Sequence, residues 1–192
     1  VRILVTGFGP FGDVISNPSG RVARACAETG SVDALILPTS FARARAAILG
    51  ALDGRDAVLM LGVASCARAF AVELIGRNAD DPKNADVDGE RRAGEIVVGG
   101  PETLPVTVDT DRIVEAIAKA GEPVIRSRSA GAYVCNHVLY SVLHAAHGSP
   151  LRAGFVHLPP DEITSAAAGV GLVRFERQVL AIGAAIDAIA KG

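Results

Sequence analysis

Two hydrophobic patterns take turns along the chain. Short continuous apolar runs, RILVTG (2–7), ALILP (34–38), AVLMLG (57–62) and AGFVHLP (153–159), read as strands covered on both faces. Between them lie stretches of helical periodicity. Asn17-Pro18 opens the first, with Asn as N-cap and Pro in the first turn; it carries RVARACAE and stops at Gly30. Further helices are predicted over about 40–52, 109–120, 135–147 and 172–190. Positions 135, 138, 139, 142, 143 and 146 form one apolar stripe. AFAVELIG (69–76) is a further strand, predicted to pair beside 57–62, and PVIRSRSA (123–130) is another. Residues 77–102, with Asp80-Asp81-Pro82, Asp86, Asp88-Gly89 and Gly99-Gly100-Pro101, predict one long exposed loop or hairpin. Loops of that length are often functional. Strands alternating with helices predict an α/β fold. The expected architecture is a single-domain three-layer sandwich over residues 1–192, with a mostly parallel twisted sheet flanked by helices. Active sites in such sheets gather beyond the strand ends.

Composition narrows the class. Apolar residues are 49% of the 192, much of it alanine, and no stretch of membrane-spanning length is uninterruptedly apolar. The net charge of −2 is spread along the chain and gives no footprint for nucleic acid. No basic region or cleavage site precedes VRILVTG, and three cysteines without paired spacing do not form a disulfide framework. The expected compartment is therefore the reducing cytoplasm, where a cysteine can be kept for its reactivity.

Gly7-Phe8-Gly9-Pro10-Phe11-Gly12 matches the glycine fingerprint of dinucleotide binding, and Asp33 lies at a suitable distance. Three features oppose that reading. Pro10 removes a backbone N–H where a phosphate would want one. The helix starts at about Pro18, too late for its N-terminus to meet a pyrophosphate. Asp33 precedes its strand rather than following it. Two Phe in a Gly/Pro-rich loop fit the walls of a small apolar pocket, or core plugs beneath the loop.

Cys135 sits where a strand turns into a helix. The first turn of a helix favours a thiolate through its free N–H groups and dipole, and the Cys135 N–H points where an oxyanion would form. Placement alone would also suit a small buried hydrophobe. Cys26, in mid-helix, and Cys66, in a small-residue turn, read as structural. A nucleophilic thiol needs a base. His157 ends a predicted strand just before Pro159-Pro160, at the sheet edge. His137, His144 and His147 lie on the helix after Cys135. His144 and His147 have the spacing of a metal pair but no carboxylate or cysteine near them in sequence, so a solvated helix face is expected and no metal. Glu73 is the odd residue in an apolar strand. It could hold the imidazole by accepting its second hydrogen bond, or could face solvent on an edge strand.

Taken together these segments resemble the pyrrolidone-carboxylate peptidases, or pyroglutamyl peptidases of type I, over nearly the whole chain. The resemblance rests on Val5-Thr6-Gly7-Phe8, Pro10-Phe11-Gly12 and Asn17-Pro18-Ser19 at the start. It rests further on Ser127-Arg128-Ser129-Ala130-Gly131 with Tyr133, Cys135, Asn136 and Tyr140, on Thr103-Leu104-Pro105-Val106, and on Gly154-Phe155-Val156-His157-Leu158-Pro159. Around Glu73 the likeness is weaker. Gly62, Asn78 and Asp86 fit, but Leu74 stands where the family has a basic residue, Ala71 replaces Ser or Thr, and Lys83 replaces an arginine. The resemblance implies a cysteine peptidase without cofactor that removes N-terminal pyroglutamate from peptides. It implies Cys135, His157 and Glu73 as catalytic triad, and Phe8 and Phe11, with Tyr133 nearby, around the lactam ring. It also implies relatives that often self-associate. A non-catalytic lactam-binding relative is the alternative that Leu74 and Ala71 leave open.

Overall fold

The computed structural model describes residues 1–12, 14–164 and 172–192. In chain order its elements are β1 (Ile3–Phe8), α1 (Pro18–Glu28), β2 (Asp33–Leu37), α2 (Phe41–Gly50), β3 (Ala57–Val63), β4 (Phe70–Glu73), β5 (Ile75–Arg77), β6 (Thr103–Pro105), α3 (Thr110–Lys119), β7 (Val124–Ser127), α4 (Val134–Ala145), β8 (Arg152–Leu158) and α5 (Phe175–Ala190). The main sheet has the order β2-β1-β3-β8-β4-β7, and β5 and β6 form a separate antiparallel pair. Every neighbouring pair in the main sheet is parallel except β4 against β8.

Strand alternation divides the core in two. Ile3, Val5, Leu59, Leu61, Phe70, Val72, Val156 and Leu158 pack with residues of α1, α3 and α5 on one face. Leu4, Phe8, Val58, Met60, Ala153 and Phe155 pack with residues of α2 and α4 on the other. Burying both faces is what the continuous apolar runs require. The result is the helix–sheet–helix sandwich expected from the sequence.

Three expectations need correction. The run 69–76 does not pair with β3. It breaks at Leu74: β4 joins β8 and β7, while β5 turns off to pair with β6. Periodicity identifies a strand but not its neighbour. The segment 77–102 is not one exposed loop, because Asn78, Asp80, Asp86 and Ile96 are buried in it. The last helix starts at Phe175, a few residues after the predicted start at about 172.

Buried polar atoms organise the segment 77–102. Asp80 and Gly94 exchange backbone hydrogen bonds. The Asn78 amide donates to the carbonyls of Val97 and Gly100 and accepts from the Val97 N–H. Asp86 accepts from the N–H groups of Asp88 and Glu90 with one oxygen and from the Phe41 N–H, at the start of α2, with the other. A carboxylate on exposed N–H groups at a helix start satisfies donors the helix cannot.

The glycine-rich turn after β1 spends its donors internally. Phe8 N–H goes to Ser19 Oγ, Gly9 N–H to Leu37 O and Phe11 N–H to Val14 O. Gly7 and Gly20 are required by close approach: a Cβ on Gly7 would sit 2.2 Å from Ser19 O, and one on Gly20 2.4 Å from Phe8 O. These glycines let α1 lie against β1, and the N–H groups of Phe8, Gly9 and Phe11, already bonded, are not free for a phosphate.

The Asp86→Ala variant is expected to lose about 2–3 kcal/mol of stability, because three N–H groups lose a charged acceptor. Urea unfolding at neutral pH is the measurement.

Candidate active site

β8 ends in His157 and Leu158, and β3, its parallel neighbour, places Gly62 beside His157 in register. On its other side β8 meets β4 antiparallel, with Ala71 opposite His157 and Glu73 opposite Phe155. Glu73 is thus the diagonal neighbour of His157 on the same sheet face, the face covered by α4. The small Ala71 directly opposite leaves the imidazole room to lean toward it. Glu73 Oε1 and His157 Nδ1 are 2.8 Å apart, and the Glu73 side chain is only 2% exposed. The solvated-edge alternative for Glu73 is therefore excluded by its burial.

Cys135 reaches the same place from above. It is the second residue of α4, half-buried, behind an N-cap residue, Tyr133, that offers no side-chain cap. The first-turn N–H groups therefore have no side-chain acceptor from the cap. A Cβ built on Gly62 would lie 2.9 Å from Phe155 Cζ, 3.0 Å from His157 Cδ2 and 3.1 Å from Cys135 Sγ. The thiol, the imidazole and a packing phenyl ring therefore converge on the space that Gly62 leaves empty. The Phe155 and His157 rings are 4.7 Å apart, centroid to centroid. With Nδ1 engaged by Glu73, Nε2 is the nitrogen left for the sulfur.

Electrostatics match this geometry. Burial pulls the His157 pKa down, but the hydrogen bonds to Cys135 and Glu73 and their charges outweigh it, and the value rises to about 9. Glu73 Oε2 is buried with no hydrogen-bond partner, so His157 is the partner that offsets the burial of this carboxylate. Cys26, by contrast, is buried in the core, where desolvation pushes its thiol up to about 11. Cys66 is exposed.

The other sequence candidates divide. Phe8 is buried in the cluster against which Tyr133 and Cys135 pack. Tyr133 stands edge-on to Phe41, with centroids 5.5 Å apart, and donates its hydroxyl to Ala85 O. Phe11 is half-buried in the turn beyond β1, bonded to Val14, and does not join that cluster. Leu74 occupies the break between β4 and β5, with its N–H on Ser127 O and its carbonyl accepting from Val106 N. Lys83 is exposed, and its carbonyl accepts from Arg91. His144 and His147 are exposed on α4 and beyond its end, and no cluster of three or more metal-ligating side chains occurs among the described residues. Sequence reasoning missed one feature outright: His137 is fully buried and paired with Asp80. A buried His in a predicted helix, with an acid in a neighbouring loop, leaves no periodic signal.

A thiol at a helix start, facing an imidazole held by a buried carboxylate at the strand ends of an α/β sheet, has the chemistry of a cysteine-type hydrolase. Known proteins agree and are more specific. The family model described as pyroglutamyl peptidase matches residues 1–192. The pyrrolidone-carboxylate peptidase of Gloeobacter violaceus is 37% identical over 83% of this chain and 82% of its own. That of Treponema denticola is 33% identical over 98% of this chain and 93% of its own. Among solved structures, pyroglutamyl peptidase I of Bacillus amyloliquefaciens superimposes with a TM-score of 0.95 at 26% identity, covering 100% of this chain and 97% of that one. The pyrrolidone carboxyl peptidase of Thermococcus litoralis gives 0.92 at 28% identity, covering 99% and 93%. The chain belongs to the pyroglutamyl peptidase family of cysteine-type peptidases.

Two outcomes are expected. A Gly62→Ala side chain would push His157 away from Cys135, so kcat should fall at least tenfold, at a stability cost of about 1–3 kcal/mol. Steady-state kinetics and urea unfolding of the same variant measure both. The second concerns pH. The folded pKa of His157, about 9, lies above its ordinary 6.5, so the folded state binds the proton more tightly than the unfolded. The stability this confers is complete below pH 6.5 and is lost as pH rises through 9. The urea midpoint should fall over that window in the wild type and by less in Glu73→Gln, which keeps the Cys135 contribution.

Proposed function

We propose that this protein hydrolyses the bond after an N-terminal pyroglutamyl residue of peptides, with Cys135 as nucleophile, His157 as acid–base and Glu73 as the group that orients and charges the imidazole. The observation that carries the reading is the meeting of the Cys135 sulfur and the Glu73-held His157 ring at Gly62. The names of the relatives supply the substrate class.

A pyroglutamyl terminus is a flat, uncharged lactam without a free amine. An apolar slot suits it better than an anionic one. Phe8 and Tyr133 form one wall, and Phe11, in the turn beyond β1, is the second. The Cys135 thiolate attacks the pyroglutamyl carbonyl, forming the C–S bond. The oxyanion takes a hydrogen bond from the Cys135 N–H in the uncapped first turn of α4. His157, as imidazolium, gives its proton to the departing nitrogen as the C–N bond breaks, which frees the shortened peptide. Water then enters, His157 takes its proton, and the new C–O bond forms as the thioester C–S bond breaks. Free pyroglutamate leaves and the Cys135–His157 pair is restored. Each step runs on groups the chain provides, so no metal or cofactor enters the mechanism. A nucleophile that must remain a free thiol suits a reducing compartment, which supports the cytoplasm as the proposed location. Among the described residues no helix is long and apolar enough to cross a membrane.

Hydrolysis of a pyroglutamyl fluorogenic amide, in reductant and chelator, tests the reading. Turnover is expected from the wild type and should fall by more than about a thousandfold in Cys135→Ala, with Glu73→Gln losing less than that. Folded wild type that binds pyroglutamate but turns nothing over would instead support a lactam-binding relative.

A further inference from the structure

The molecule holds a second carboxylate–imidazole pair that the chemistry above does not use. His137 Nδ1 and Asp80 Oδ2 lie 2.7 Å apart, with side chains 0% and 3% exposed. His137 Nε2 and Asp80 Oδ1 are both buried without partners. Two polar groups desolvated for a single hydrogen bond are a poor way to gain stability, since an apolar pair of similar volume would pack at lower cost. The pair is better explained by the geometry it imposes.

That geometry joins the two sides of the candidate site. His137 is two residues beyond Cys135 on α4. Asp80 lies just beyond β5, the strand that follows the Glu73-bearing β4 after the break at Leu74. Around the pair the same two elements are laced together. The Asn136 side chain accepts from Arg77 N–H and donates to the carbonyls of Arg77 and Ala79. Asp81 N–H donates to Ala132 O, and the Tyr133 hydroxyl to Ala85 O. These contacts place residues 77–85 along the first turn of α4, beside Tyr133. The Asn136 bonds act on the backbone of 77–79, whereas the Asp80–His137 bond is a side-chain contact that secures the segment beyond them. The Asp80 backbone in turn is bonded to Gly94, so the same residue fixes both arms of the loop.

We propose that Asp80 and His137 are positioning residues: their bond holds segment 80–94 against α4 and so sets Tyr133 and the adjoining wall at the distance the lactam ring requires. This rests on the pocket proposed above. The pair forms no hydrogen bond with the sulfur or the His157 ring, so it acts on substrate binding and not on the reacting groups.

The test uses His137→Leu, which removes the bond, and His137→Asn, whose amide nitrogen can take the place of Nδ1 and restore it. Expected for His137→Leu are a KM for the pyroglutamyl amide raised about tenfold, a kcat within about threefold of wild type, and an unchanged rate of Cys135 alkylation by iodoacetamide. Amide hydrogen exchange should speed up within residues 80–94, and His137→Asn should recover both KM and protection. A lower melting temperature with unchanged KM would reduce the pair to a structural role and overturn the proposal. Slower Cys135 alkylation would overturn it too, because the pair would then act on the nucleophile. Should His137→Leu fail to fold, Asp80→Asn, which weakens the same bond, is read by the same measurements. If the wild type turns nothing over, the proposed activity fails. The exchange data and pyroglutamate binding then decide the positioning role on their own: it stands only if loss of the bond both frees segment 80–94 and weakens binding.

Discussion

The site depends on one reversal in an otherwise parallel neighbourhood: β4 runs antiparallel to β8. Had β4 entered parallel at this position, its carboxyl end would lie level with the end of β8, and the register of Glu73 to His157 would change. Antiparallel entry sets Ala71 opposite His157 and Glu73 two residues further on, so the acid approaches the imidazole from below, within the sheet. A carboxylate there is fully buried, and burial of a carboxylate demands a partner. The partner is the charged imidazole. The pairing that positions Glu73 therefore also favours the protonated form of His157 on which the proposed mechanism relies. Fold and protonation state have one cause.

The second requirement is that α4 come down on that sheet face at the right height. Gly62 sets how close it can come, because any side chain there would part the sulfur from the ring. The loop after β5 sets the lateral position, since Ala132, Tyr133, Asn136 and His137 of the α4 start each hold a residue of segment 77–85. That segment continues from β5, which follows the Glu73-bearing β4 after the break at Leu74. The acid and the thiol are thus joined by a short chain of bonds through Arg77 and Asn136, a tighter connection than the sheet alone would supply.

Much of this was legible in the sequence, for definite reasons. The strands covered on both faces announced themselves as continuous apolar runs, and Asn17-Pro18 marked a helix start that the structure reproduces, with the Asn17 side chain accepting from Ser19 N–H. Cys135 at a helix start and His157 at a strand end could be read from local pattern, because each sits at an element boundary. The partner of β4 could not, since apolar alternation says that a strand is buried and not which strand it meets. The burial within segment 77–102 is hidden from the sequence for a related reason. Its Asp and Gly content is that of a surface loop, yet Asp80 and Asp86 are buried by bonds to His137 and to the start of α2, residues far away in sequence. Composition reports the average environment of such residues. It does not report a specific long-range partner.

The two acid–imidazole pairs show why the same two side-chain types serve different ends. In each, Nδ1 faces a carboxylate oxygen at hydrogen-bonding distance, 2.8 Å for Glu73 and His157 and 2.7 Å for Asp80 and His137. What differs is the far side of the ring. His157 turns its free edge to Cys135 at the mouth of the sheet, and its side chain keeps 10% exposure. His137 is sealed, with the Phe41 ring 5.3 Å away edge-on and no partner on Nε2. In the proposed mechanism a proton enters and leaves the first ring by way of the sulfur and the substrate. The second ring is closed off on that side, which suits the positioning part proposed for it. Access to the second nitrogen separates an imidazole that can do chemistry from one that can only fix a loop, and that access is decided by the neighbours the fold supplies.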